Sequence, residues 1–167
     1  TTNNIEVTRL DVKVNGTAGH VTDTGKEVDL NAATTDYVSV TGSNVDIKNN
    51  STVKSTDTTS DGISYTGYTA ADPTKKSDGG SVTITGKNSV TGAQSGINYT
   101  NGNVTATGTS ATQLAAVTGT AANGIANTSG KVSLGYATVS GAANGVSATG
   151  TDVEITDGST VTGGTNG

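Results

Sequence analysis

The chain has 167 residues, of which 31% are hydrophobic and 3% aromatic, with no Phe, Trp, Met or Cys, so an ordinary globular core has little to fill it. Its net charge is −5 with nine Lys and Arg in all, which excludes the clustered basic footprint of a nucleic-acid binder. Without cysteine, disulfide and thiolate–metal frameworks are excluded as well. Charged residues are also sparse, at 14%, and the Val, Ile and Thr content favours strands over disorder. No stretch approaches the roughly 18 apolar residues of a membrane-spanning helix.

In chain order, a Val-x-(Ile/Leu)-like phrase recurs at Val12-Lys13-Val14, Val28-Asp29-Leu30, Val45-Asp46-Ile47, Val82-Thr83-Ile84, Val104-Thr105-Ala106, Val132-Ser133-Leu134 and Val153-Glu154-Ile155. Successive first valines lie 16, 17, 37, 22, 28 and 21 residues apart. A fixed-order repeat of this length indicates stacked supersecondary units. Period-2 alternation sends the outer two residues of each phrase inward and the middle one outward. The seven valines are therefore expected to form one buried ladder. A second ladder is expected through Val21, Val38, Ile63, Ile97, Ile125 and Val146. A third runs through Val53, Val90, Val139 and Val161, with Leu114 or Val117 filling its gap. Three short strands per coil predict an all-β, right-handed parallel β-helix, a β-solenoid of about seven coils formed by residues 1–167 as one domain.

The 37-residue gap holds the chain's one proline, Pro73, and predicts a surface insertion over residues 68–80. The final Gly163-Gly164-Thr165-Asn166-Gly167 resembles the approach to another coil, as at Asn123-Gly124 and Asn144-Gly145. The expectation is a segment of a longer solenoid, or a subunit that stacks end to end.

The loop gives the candidate binding residues: Tyr65, Tyr68, Lys75 and Lys76, because exposed Tyr beside Lys makes a contact patch on a rigid scaffold. The competing reading packs Tyr65 on Tyr99 across adjacent coils. Asp29 and Asp46 are expected as outward neighbours about 4.8 Å apart, with Glu27 nearby and Lys13 and Lys48 flanking them. This reads as a solvated charge ladder rather than the paired acids of glycoside cleavage. His20, the one histidine, reads as a solvated turn residue, and no nucleophile–base arrangement follows from it. Asp57, Asp61, Asp72 and Asp78 could gather on one side of the loop, but Asp78-Gly79-Gly80 lacks the continuation of a calcium-binding repeat. No catalytic residue, metal site or cofactor is expected. Thr-x-Thr occurs at Thr22/Thr24, Thr83/Thr85 and Thr105/Thr107/Thr109, yet the outward positions Lys13, Asp29, Asp46 and Glu154 interrupt any flat threonine lattice of the ice-binding kind.

The phrase Asn123-Gly124-Ile125, then Gly130-Lys131-Val132-Ser133-Leu134, then Ala137-Thr138-Val139-Ser140-Gly141 resembles the degenerate repeats of pertactin-like passenger regions of Gram-negative autotransporters, a grammar shared with filamentous-haemagglutinin-like adhesins. The likeness covers residues 36–167 and, more loosely, 3–35. It implies a parallel β-helix exposed on the bacterial surface and anchored to the outer membrane by regions outside residues 1–167. It further implies a non-enzymatic role in adhesion or aggregation, with a surface glycan, a surface protein or copies of the chain itself as partner. A self-assembling extracellular filament or surface-layer subunit is the alternative, and a polysaccharide-processing enzyme the remote one.

Overall fold

The computed structural model describes residues 2–42, 44–67 and 80–167. The expected insertion at 68–80, Gly80 excepted, lies outside the described residues. The strands in chain order are β1 (Ile5–Thr8), β2 (Val12–Thr17), β3 (Val21–Thr24), β4 (Glu27–Thr35), β5 (Val38–Thr41), β6 (Asn44–Lys48), β7 (Thr52–Lys54), β8 (Ile63–Thr66) and β9 (Ser81–Thr85). They continue as β10 (Ser89–Gly92), β11 (Ile97–Thr100), β12 (Asn103–Thr107), β13 (Ala115–Gly119), β14 (Ile125–Gly135), β15 (Ala137–Gly141), β16 (Val146–Thr156) and β17 (Thr160–Gly163). Every strand pairing is parallel and joins one coil to the next, the arrangement of a parallel β-solenoid. Among the described residues there is no helix, and so none long and apolar enough to cross a membrane.

The three expected ladders occur in register. On the first face Val12, Val28, Val45, Val82, Val104, Val132 and Val153 are successive partners. On the second, Ile5 precedes Val21, Val38, Ile63, Ile97, Ile125 and Val146. On the third, Thr35 precedes Val53 and Val90, and Val117 bridges to Val139 and Val161. Leu114 is not in that ladder; it lies outside β13 and lines a groove. The ladder side chains of the interior coils form one continuous core, each removed from water by the coils on either side. Val153 departs from expectation: it holds its place in the ladder but is 42% exposed, because β16 pairs only with β14 and no described coil covers it.

The Gly of each Gly-(Ile/Val) phrase has a steric cause. A Cβ on Gly62 would lie 2.7 Å from the Gly96 carbonyl and 2.9 Å from Val90 Cγ1, and one on Gly96 would meet Gly124 O and Val117 Cγ1 at 2.7 and 2.6 Å. At this corner the third ladder and the next coil's backbone leave room only for hydrogen. Elsewhere, buried polar side chains hold the corners. Ser51 donates its hydroxyl to Lys48 O (2.6 Å) and accepts Ala33 N–H (3.0 Å). Its own N–H goes to Asn88 Oδ1 at 2.7 Å, and Asn88 Nδ2 donates to Thr85 O at 2.8 Å.

Candidate functional site

On the outer surface of the first face, Lys13, Asp29, Asp46, Thr83, Thr105, Ser133 and Glu154 stack in one column. Asp29 and Asp46 are neighbours as expected, but they are not equivalent. Lys48 Nζ sits 2.9 Å from Asp29 Oδ1 and 3.0 Å from Oδ2, so one carboxylate is tied into an ion pair. Burial pushes the Asp46 carboxyl above its ordinary value; Lys48 opposes this and the Asp29 charge adds to it. The Lys48 ammonium is shifted upward, chiefly by its hydrogen bond to Asp29.

Beside this pair lies a groove of about 530 Å³, lined by Asp46, Thr83, Thr85, Lys48, Lys87 and Gln113 among others. Thr109 and Gln113 bring the 108–114 turn to the lining, and that turn is closed by Thr109 N–H to Gln113 O and Gln113 N–H to Ser110 O, both 3.0 Å. Asn49 and Asn50, both in the left-handed region (φ 58° and 60°), also line the groove. A second groove of about 440 Å³ continues round this corner, sharing Asn50 and Lys87 and including Leu114. Together they offer amides, hydroxyls and two ammonium groups to a polar ligand. Among the described residues that line the first groove, Asp46 is the one carboxylate.

Other residues singled out in the sequence take different places. Tyr65 is 2% exposed, in register with Tyr99, which is 1% exposed, so it belongs to the core and not to a contact patch. Tyr99 Oη donates to Lys131 O at 3.1 Å, and burial drives its phenol well above the usual range. Tyr68, Lys75 and Lys76 lie outside the described residues, as do Asp72 and Asp78. Asp57 caps its own turn, and Asp61 bonds within its strand's approach and across to the next coil. Asp57 accepts from Thr59 N–H and Oγ1 (2.9 and 2.8 Å). Asp61 accepts from Ser95 N–H, Asn98 Nδ2 and Ser64 Oγ (2.9, 3.1 and 3.2 Å). No cluster of metal-ligating side chains occurs among the described residues. His20 is more engaged than a solvated turn residue: its ring stacks on Tyr37 (centroids 4.8 Å apart, planes 13°) and its Nε2 meets Glu6 Oε1 at 2.7 Å.

The sequence reading missed the outer surface of the second face. There Thr8, Thr24, Thr41, Thr66, Thr100, Thr128 and Thr149 are register partners in one unbroken column. A parallel column two residues earlier reads Glu6, Thr22, Ser39, Ser64, Asn98, Ala126 and Ser147, with no charge after Glu6. The signal was present, since each of these threonines follows its second-ladder Ile or Val by three residues.

No family model, curated protein or solved structure matches the chain.

Proposed function

We propose that the chain is a non-enzymatic segment of a bacterial surface adhesin: a rigid rod acting outside the cell that presents the threonine face to its partner. The observation that carries this reading is the unbroken, charge-free column from Thr24 to Thr149. Coil stacking repeats it about every 4.8 Å, and β-branching keeps each side chain stiff, so little order is lost on contact. With no aromatic anchor in either column, each contact is weak, and the face suits a long, repetitive partner such as a glycan chain, where many contacts sum. The test is binding of the whole chain to bacterial and host cells and to polysaccharides. A Thr66→Lys/Thr100→Lys/Thr128→Lys variant is expected to lose binding with its melting transition unchanged. Undiminished binding by that variant, or turnover of the polysaccharide, would refute the reading.

A second reading, assembly of copies end to end, is favoured by one observation. β16 and β17 pair on one side only, and Val153 and Ile155 are 42% and 49% exposed. Such an edge accepts a further coil of the same grammar, from this chain or from a copy of it. Sedimentation over a range of concentrations separates the readings, since only the second requires growth of the particle.

A further inference from the structure

The second face has an inner column beside its corner, running Val40, Tyr65, Tyr99, Asn127 and Ala148. Each tyrosine reaches the corner of the following coil. A Cβ on Gly102 would lie 2.7 Å from Tyr65 Cε1, and Tyr99 Oη bonds to Lys131 O, next to Gly130. The Tyr65 ring thus ends beneath a glycine, and the Tyr99 hydroxyl ends on the residue that follows one. One coil further on the pattern changes at both positions together: Asn127 replaces the tyrosine, and Thr151, the partner of Gly130, replaces the glycine.

Asn127 is 3% exposed, and neither its Oδ1 nor its Nδ2 has a hydrogen-bond partner in the protein. The Thr151 Oγ1 is likewise buried and unpaired. Asn is shorter than Tyr and fills less of the corresponding position, and its carboxamide and the Thr151 hydroxyl are the buried polar groups left unpaired at the positions that a ring and a glycine hold in the earlier coils. Buried polar groups of this kind are costly when unmade and are satisfied in native proteins by ordered water. The carboxamide supplies two donors and an acceptor and the hydroxyl one of each, a set that suits water, which both donates and accepts. We infer that the corner between Asn127 and Thr151 is a binding site for buried water, hydrogen-bonded to both side chains. Water there does the work that the tyrosine rings do in the earlier coils.

The test is a crystal structure of the whole chain together with water-selective NMR of the Asn127 side-chain amide. The expected result is an ordered water within hydrogen-bond distance of both residues and cross-peaks from the Asn127 Nδ2 protons to long-lived water. Thr151→Val should weaken that signal, and the ordered water should be absent from a crystal structure of Asn127→Leu. The paired change Asn127→Tyr/Thr151→Gly, which restores the pattern of the earlier coils, should fold at least as stably as the parent without the water. Direct bonding of Asn127 to protein groups with no water contact would overturn the inference. So would a metal ion at the site, or signals unchanged in Thr151→Val.

Discussion

Val132-Ser133-Leu134 and Val153-Glu154-Ile155 are the same phrase, in register on adjacent strands, yet they live in different environments. Val132 and Leu134 are 0% and 2% exposed; Val153 and Ile155 are 42% and 49%. Identical local grammar therefore gives identical backbone and register but not identical burial. In a stacked fold each coil supplies half of its neighbour's core, so burial is a property of the pair of coils and not of the residue.

The largest expected effect sets these two valines against each other. Val132→Asp places an unpaired carboxylate in a dry core and should cost about 4 kcal/mol or more. Val153→Asp, on the half-open coil, should cost about 1 kcal/mol or less. Urea unfolding of the two variants measures the difference, and equal losses would contradict the picture of neighbour-conferred burial.

A smaller contrast concerns polar corners. Asn88→Ala removes the acceptor of Ser51 N–H and the donor to Thr85 O in the interior, at about 2–3 kcal/mol. Asn144→Ala interrupts the amide ladder in which Asn144 Nδ2 donates to Asn123 Oδ1 at 2.7 Å and Asn144 Oδ1 accepts from Asn166 Nδ2 at 3.0 Å. That ladder lies nearer water, and the cost should be about 1 kcal/mol. Thermal melts of both variants rank the pair.

The smallest effects are in pH dependence, where two aspartates act with opposite sign. Asp46 is held above its ordinary value of 3.8 by burial, so its contribution is present below that value and is lost as pH rises through the folded-state value. Burial also acts upward on Asp36. Bonds from Thr56 N–H and Oγ1 (both 2.8 Å) and Tyr37 N–H (2.9 Å) nevertheless hold it below 3.8. Its contribution is present above 3.8 and is lost as pH falls through the lowered value. Stability measured from acid to neutral pH should therefore lose opposite slopes in Asp46→Asn and Asp36→Asn. Slopes of the same sign would contradict these assignments.

Much of this architecture could be read from the residues. Period-2 alternation repeated at near-constant spacing placed three ladders in register, because parallel stacking aligns like with like. What could not be read was set by neighbours across coils. Tyr65 stands two residues after Ile63, so alternation does turn it inward, but the room for a ring there is made by the glycine at 102, a coil away. The groove at Asp46 takes part of its lining from the 108–114 turn, which follows the groove's strands by more than twenty residues. Val153 reads like every other ladder valine, and only the absence of a described coil beyond it sets it apart.

The central claim, that each coil is stabilised by the coils on both sides, is tested most directly by native-state hydrogen exchange along the chain. The account predicts the slowest exchange for hydrogen-bonded amides of β11 and β12, flanked on both sides, and markedly faster exchange for those of β16 and β17, flanked on one. Protection in β16 equal to that in β12 in the monomeric chain would contradict it.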